Sequence, residues 1–418
     1  MNSFIHALNL CLCLLFFGCY FYQLVYVGIV WFKKDRLSKY KAARQHRYAI
    51  VISARNESAV IGNLLSSIGQ QTYPSELYDI YVMADNCTDN TADIAREAGA
   101  IVYERSSSQV GKGYALDAMF RHIEAERGIT YYDAYLVFDA DNVLDPHYLE
   151  EMNRTFDAGY RVITSYRNSK NYDSNWISAG YALWFLRESK YLNGARMRCG
   201  SSCAISGTGF LVSSEIIAKN GGWKHHLLTE DIEFSIDNAT QGEVIGYCEK
   251  AIVYDEQPVQ FKASWKQRMR WAKGFYQVFA RYGRALVNGC LHHSFQCYDM
   301  LMTIAPALLI SLLGLGINGT MLLYGLATDQ LILADSCLSA ILAGFGSSYV
   351  SLFFFGVITT ISEWDKIYCS TPKKILYLFT FPVFIFTYIP IAVAALVRPV
   401  RWEPIQHSIC KNVQQITQ

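Results

Sequence analysis

The sequence predicts an α/β domain on a mixed, mostly parallel sheet, joined to an α-helical transmembrane region with interfacial helices. Three observations carry this. Short apolar strands alternate with helices between residues 48 and 139. Polar motifs follow those strands directly. Four long stretches without charge lie on either side of the mixed region.

The charge-free stretches are Ala7–Trp31, Met300–Ala327, Ser336–Ile361 and Ile375–Val397. Each is long enough to cross a hydrocarbon core of ~30 Å at ~1.5 Å rise per residue. Apolar residues make up 52% of the 418 residues and charged ones only 17%, which is low in charge for a soluble chain. The net charge of +1 gives no field for an acidic partner, so nucleic acid is not expected. The first stretch reads as a retained anchor, because nothing basic precedes it except His6 and no small-residue cleavage site follows. Lys33, Lys34, Arg36, Lys39, Lys41, Arg44 and Arg47 come straight after it, opposed by Asp35. The positive-inside rule then places the following domain in the cytoplasm of a multi-pass membrane protein. The 12 cysteines include no Cys-x-x-Cys pair, and Cys199 and Cys203 lack a partner pair or histidine for zinc; they read as reduced, buried hydrophobes.

Five divisions follow: an anchor (1–32), a mixed α/β domain (33–260), amphipathic interfacial helices (261–298), membrane helices (299–398) and a tail (399–418). Within the domain, Tyr48–Ser53, Tyr78–Ala84, Ala100–Glu104 and Ala134–Asp139 read as strands. Glu57–Gln70, Thr91–Ala98 and Gly113–Glu126 read as helices. Val60, Ile61, Leu64, Leu65 and Ile68 make one apolar face of the first helix. Such alternation implies a parallel sheet, with ligands at the carboxyl ends of its strands. Trp176–Leu192 and the basic, aromatic Phe261–Arg284 read as interfacial segments. An ordinary surface helix is the other reading of the second.

Asp139-Ala140-Asp141 ends the fourth strand. Paired carboxylates at such a corner suit Mg²⁺ or Mn²⁺, which prefer carboxylates plus substrate phosphates. The triplet also occurs in plain turns. Arg55 and Glu57 follow the first strand and Asp85 the second, where they could bond a nucleobase or ribose or merely cap a helix. Gly111-Lys112-Gly113 opens a helix and offers backbone and charge to a diphosphate. Glu230 and Asp231 follow Thr229, and a carboxylate there is a candidate general base or a helix-start acid. Gln267-Arg268-Met269-Arg270-Trp271 offers arginines to a leaving diphosphate and a flat ring to a sugar.

Together and in order, these motifs resemble the membrane-integrated family 2 glycosyltransferases, the branch of cellulose, chitin, hyaluronan and poly-N-acetylglucosamine synthases and ceramide glucosyltransferase. The resemblance runs from Tyr48 to Trp271 plus the flanking helices. It implies a GT-A, Rossmann-like fold and a UDP-sugar donor with Mg²⁺ or Mn²⁺. Glu57 and Asp85 would hold uridine, with Arg55 beside them, and Lys112 would face the diphosphate. Asp139 would lie by the nucleotide and near the metal that Asp141 holds. Asp231 would be the catalytic base with Glu230 beside it. Gly207 and Thr208, in Ser206–Gly209, would shape the acceptor pocket. Gln267, Arg268, Arg270 and Trp271 would serve the diphosphate and acceptor. The second motif departs from the family's Asp-Asp or Asp-Gly-Ser, being Asp85-Asn86-Cys87.

The leading expectation is an inverting, processive polysaccharide synthase coupled to export through the bilayer. The alternative is transfer of one sugar to a lipid: polyprenyl phosphate, diacylglycerol or ceramide. A transporter with a regulatory domain is the reading from another class, and the near absence of intramembrane charge opposes it. No motif names an accessory subunit. Three spans after a cytoplasmic domain would leave the tail outside, yet Arg398, Arg401 and Lys411 against Glu403 lean inward. Ser336–Ile361 or Ile375–Val397 is therefore expected to be re-entrant or folded in two.

Overall fold

In the computed structural model, which describes residues 2–37 and 39–417, helix α1 (Asn2–Phe32) precedes the catalytic region. Next come β1 (Tyr48–Ala54), α2 (Ile61–Gly69), β2 (Tyr78–Asp85), α3 (Thr91–Glu97), β3 (Ile101–Arg105), α4 (Lys112–Arg127) and β4 (Ala134–Asp139). The second half holds β5 (Val143–Leu144), α5 (Tyr148–Asp157), β6 (Val162–Ser169), α6 (Trp176–Arg187), α7 (Gly194–Cys199), β7 (Phe210–Ser213), α8 (Ser214–Asn220), α9 (Glu230–Thr240) and β8 (Ile245–Asp255). A π-helical turn, Glu188–Asn193, joins α6 to α7.

The eight strands form one sheet in the order β3-β2-β1-β4-β7-β6-β8-β5. β3, β2, β1 and β4 run parallel; β7 is antiparallel to both its neighbours, and β6 and β8 are parallel again. This is the mostly parallel sheet expected. Its register places the motifs: Ala54 lies opposite Ala84, Ser53 opposite Asp139, and Asp85 opposite Arg105. The residues after β1, β2 and β4 therefore share one rim.

Side chains alternate across a strand, and both faces here are buried. Val51, Tyr81 and Val137 pack under Leu116, Met119 and Phe120 of α4 and Leu183 and Leu186 of α6. Ile50, Ile52, Leu136 and Phe138 pack against Leu64 and Ile68 of α2 and Leu149 and Met152 of α5. The first layer continues into Tyr377 and Phe381 of a later apolar helix, so the sheet domain and that helix are one packed body.

After β8 come α10 (Phe261–Leu291), α11 (Phe295–Ile304), α12 (Pro306–Ala327), α13 (Leu331–Ser362), α14 (Thr371–Phe386), α15 (Tyr388–Val397) and the short α16 (Val413–Thr417). Among the described residues, four segments could by length and composition cross a membrane: Asn2–Phe32, Leu309–Ala327, Leu331–Ser362 and Thr371–Val397.

Three expectations change. The helix expected over Glu57–Gln70 begins only at Ile61. Asn56 has φ +57°, a left-handed conformation that asparagine tolerates, and it turns the chain so that Glu57 stays in a loop. The stretch Met300–Ala327 is broken at Ala305, the residue before Pro306, where proline disfavours a helical predecessor. Met300 and Ile304 then pack on Ile236 and Val278 rather than on lipid. The stretch Ile375–Val397 divides at Thr387 between α14 and α15. Lys373 Nζ near its start donates to Asp173 O at 2.7 Å, and Lys273 Nζ of α10 donates to Ala395 O at 3.1 Å near its end. One end of this helical pair thus meets the loop after β6, and the other meets α10.

Candidate active site

The rim gathers around the loop Ser206–Gly209, which leads into β7. Lys112, the first residue of α4, donates from Nζ to Gly207 O at 2.7 Å and lies 2.6 Å from Asp139 Oδ1. Asp231, in the first turn of α9, accepts the Gly207 amide proton at 2.6 Å. Thr208 accepts the Asp139 amide at 2.9 Å and donates to Asn142. One loop thus ties the end of β4, the start of α4 and the start of α9 into a single corner.

Burial pulls Lys112 down, but Asp139 beside it more than compensates, so its pKa stays above the ordinary lysine value. Burial and then neighbouring Asp231 push Glu230 up to about 7, with Lys112 and Arg270 opposing. Arg270 donates to Leu228 O at 3.1 Å, just before the Thr229-Glu230-Asp231 turn. Gly113 has a different job from the one expected. A Cβ there would stand 2.2 Å from His225 O, so this glycine permits close helix–loop packing instead of access to a phosphate.

Asp141 is 3% exposed, and its Oδ2 accepts the Glu256 amide at 3.2 Å. Asp255, at the end of β8, joins this corner through Asn142 and pairs with Arg167. Burial pushes Asp255 up to about 6, Arg167 opposing and Asp141 adding. Glu57 lies beside Asp141 by way of His407, whose Nδ1 is 3.0 Å from Glu57 Oε1 and whose Nε2 is 3.9 Å from Asp141 Oδ2. Burial raises Glu57, His407 opposing. Burial lowers His407, yet Asp141 and Glu57 hold it up at about 10. Asp85, 4% exposed, pairs with Arg105 at the β2–β3 edge. Arg55 stacks on Trp402, 5.2 Å from its ring centre.

The residues expected at the site divide in two. Lys112, Asp139, Gly207, Thr208, Glu230, Asp231 and Arg270 surround one loop, with Asp141 and Glu57 beside it. Asp139 pairs with Lys112 through Oδ1. Arg268 departs furthest. It is 1% exposed, donates to Phe384 O at 3.1 Å and Thr387 Oγ1 at 2.7 Å, and lies over the Phe384 ring. Residues two apart on a helix point about 200° apart, so Arg268 secures the α14–α15 break while Arg270 faces the Glu230 turn. Trp271 packs edge-on to Tyr181 and Phe185. Gln267 lines a groove of roughly 530 Å³ with Lys266, Arg270, Arg401 and Glu403, and its Oε1 is buried without a partner.

Beneath Ser206 and Thr208 lies a second cavity of about 230 Å³, lined by Ser165, Arg167, Phe185 and Glu188 among others. Asp255, Glu256, Arg167, Trp402 and His407 were not among the expected site residues. Asp255 and Glu256 follow an apolar strand, the same signal that marks Asp139. His407 and Trp402 carried only the inward lean of the tail.

Among the described residues, no group of three His, Cys, Asp or Glu side chains is arranged to hold an ion alone. Mg²⁺ and Mn²⁺ sites commonly use one or two carboxylates plus substrate phosphates, so the buried, oxygen-rich Asp141 corner fits such an ion.

A family model described as glycosyltransferase-like family 2 matches residues 46–274, from the strand before the rim to the helix that carries Arg270. The chain belongs to glycosyltransferase family 2. Its curated relatives include a probable glycosyltransferase, YdaM, of Bacillus subtilis (27% identical over 259 residues; 56% of this chain, 57% of the relative). A β-monoglucosyldiacylglycerol synthase of Nostoc is 26% identical (61% of this chain, 54% of the relative). A poly-β-1,6-N-acetyl-D-glucosamine synthase of Staphylococcus aureus is 26% identical (55% of each). This family 2 glycosyltransferase spans about half the length of the curated relatives it matches. The solved mannosyltransferase PcManGT of Pyrobaculum calidifontis, in complex with GDP-Man and Mn²⁺, shares its fold: TM-score 0.56 at 15% identity, covering 94% of this chain and 99% of that one. The fold of this family 2 enzyme is GT-A.

Proposed function

We propose that this glycosyltransferase moves a hexose from a UDP-sugar to an acceptor hydroxyl with inversion at the anomeric carbon. One observation carries the reading: Asp231 and Lys112 grip opposite sides of one peptide loop, the carboxylate on the Gly207 amide and the ammonium on its carbonyl. A base and a cation are thereby held about a fixed backbone segment. Asp231 takes the proton from the acceptor oxygen as that oxygen attacks, and Lys112 and Arg270 offset the charge on the departing diphosphate. A divalent ion on Asp141 would supply further charge stabilisation of the phosphates when bound. Glu57, Asp85 and Arg55 lie on the nucleotide side of the rim, and Thr208 and Trp271 on the acceptor side. The test is donor turnover by Asp231→Asn, set against UDP binding by the same variant. Normal turnover removes the base.

The acceptor has two readings. A processive synthase passes its chain down through the helices; the polymer-forming relative and the sequence motifs support that. The ion pair of Arg196 with Asp299, both at most 1% exposed, favours the other. Tyr22 and Tyr26 of α1 donate to the same Asp299, at 2.9 and 2.7 Å. Arg196 bonds Asn193, which brackets Ala204 just before the Ser206 loop. This latch packs the region behind the loop, which favours one sugar added to a lipid acceptor. Sizing the product separates them: a single glycolipid or a polymer ladder.

The same reading places the catalytic domain on the cytoplasmic face of a bilayer. α1, α12 and α13 cross, and α14–α15 lies folded against the domain's membrane side with α6 and α10. The contacts of α14 with Asp173 and of α15 with α10 support this, and it returns the tail to the cytoplasm. The divisions at residues 32, 260, 298 and 398 belong to this proposal. Cysteine labelling from each side of sealed vesicles tests it, with Cys410 reacting from the cytoplasmic side.

A further inference from the structure

A run of buried hydrogen bonds leads from the anchor helix α1 to the loop that Asp231 grips. It starts at Asp299 of α11, whose Oδ1 and Oδ2 accept from Tyr22 and Tyr26 of α1 at 2.9 and 2.7 Å. The same two oxygens take a fork from Arg196 of α7, its Nη2 and Nε each at 2.7 Å. The third guanidinium nitrogen, Nη1, donates to Asn193 Oδ1 at 3.2 Å. Asn193 ends the π-helical turn and clamps Ala204 both ways, donating from Nδ2 to Ala204 O and accepting the Ala204 amide at Oδ1, each at 3.0 Å. The next residue, Ile205, donates its amide to Ser235 Oγ at 2.9 Å, and that hydroxyl donates to Asp231 O at 2.8 Å. Gly207 then meets the Asp231 carboxylate itself. The loop is thus bonded to Asp231 through main chain and side chain, and it is held from behind by Arg196.

We infer that Arg196 and Asp299 are positioning residues of the transfer reaction, and that α1 is part of the frame that places the base as well as an anchor. The inference rests on the reading of Asp231 as that base. Arg196, Asp299, Asn193 and Ser235 are all buried. A buried ion pair costs the desolvation of both charges, and apolar residues of similar volume often serve stability as well or better. What a forked guanidinium adds is direction. Here it fixes the Asn193 amide in one sense, with Oδ1 toward Arg196 and the Ala204 amide, so that Nδ2 meets the Ala204 carbonyl. The π-helical turn that carries Asn193 is a form found mostly at functional places in helices. A base has to stand within hydrogen-bond reach of its proton, and a displacement of ~1 Å caused far from the chemistry can cost about 100-fold in rate. Uridine is gripped on the other side of the rim in the same reading, so donor binding does not pass through Arg196.

The test compares three variants of the full chain in lipid nanodiscs, with kcat per folded molecule, UDP affinity by calorimetry and melting temperature read on each. Arg196→Met with Asp299→Leu replaces the pair by apolar side chains, Asn193→Ala removes the clamp, and Tyr22→Phe with Tyr26→Phe removes only the hydroxyls of α1. The first two are expected to lower kcat by about 10–100-fold while UDP affinity stays within about threefold of wild type. The apolar pair is expected to melt at or above the wild-type temperature. A slower enzyme that is no less stable is an outcome that a merely structural ion pair would not give. The tyrosine variant is expected to lose about 3–10-fold in kcat, again with UDP affinity kept. A kcat within about twofold of wild type in both the apolar-pair variant and Asn193→Ala overturns the inference. An equal fall of kcat and UDP affinity in those variants overturns it too, making the pair a general support of the fold. Wild-type kcat in the tyrosine variant overturns the share given to α1. All of these leave the base standing, whereas normal turnover by Asp231→Asn removes the base and this inference with it.

Discussion

Asp231 Oδ2 holds the amide of Gly207 at 2.6 Å, so the carboxylate at the start of α9 and the loop before β7 keep one fixed geometry. One oxygen is engaged in orienting the group. In the proposed mechanism the other takes the acceptor's proton.

Asp231→Asn keeps the shape of the side chain and can still accept the Gly207 proton through its amide oxygen, but it loses the base. Transfer is expected to fall by ~10²–10⁴-fold, the usual contribution of general base catalysis. UDP affinity, measured by calorimetry, is expected to change less than about threefold. A joint collapse of both would mean that Asp231 acts in folding or donor binding.

Lys112 joins Asp139 to Gly207 and is expected to serve donor and acceptor together. Lys112→Met should raise the KM for donor and lower kcat in one step, because it removes a cation from the diphosphate and frees the carbonyl of the loop. Steady-state kinetics with each substrate varied in turn checks this. A pure change in donor KM would confine Lys112 to ground-state binding.

Glu230 gives a pH signature. Its pKa in the folded chain is raised from 4.5 to about 7, by burial first and then by Asp231. Across that window the folded state binds a proton that the unfolded state has released. The resulting stability is present below the unfolded value and is lost as pH rises through about 7. Glu230→Gln has no such proton. Relative to the variant, wild type should lose melting temperature between about pH 5 and 7.5. Parallel melting curves across that range would show that Glu230 is not raised.

Arg268 and Arg270 should separate cleanly. Arg268→Ala leaves Thr387 Oγ1 without its donor at the helix break and removes one of two donors from Phe384 O, which keeps the Thr387 hydroxyl, a loss of about 1–3 kcal/mol in stability for a buried charged donor. Donor KM of the folded fraction should stay near wild type. Arg270→Ala is expected to do the reverse, raising donor KM with little change in melting temperature. Thermal unfolding and donor kinetics on both variants decide it, and exchanged phenotypes would return Arg268 to the diphosphate.

Much of the site was readable because its signals are local. Asp85 and Asp139 end apolar strands, and a parallel sheet carries all such ends to one rim. The register of Ser53 against Asp139 makes this unavoidable once the strands pair. Glu57 was assigned to the rim but also to a helix, and only the turn at Asn56 shows why it can be in the site and outside α2. Gly113 was read as a phosphate residue, since nothing in its neighbours in sequence shows His225 pressing on it.

By itself the sequence determined the layers: alternating strands and helices, acids at strand ends, and apolar stretches long enough for a bilayer. Period, composition and length are properties of contiguous residues, and local physics acts on them directly. The tertiary structure alone decided which face of α10 meets the Glu230 turn, that α14–α15 packs back on α6 and α10, and that His407 lies between Glu57 and Asp141. Those facts depend on how rigid elements dock and where the chain comes back. No neighbouring residue encodes the partner of a side chain 350 positions away.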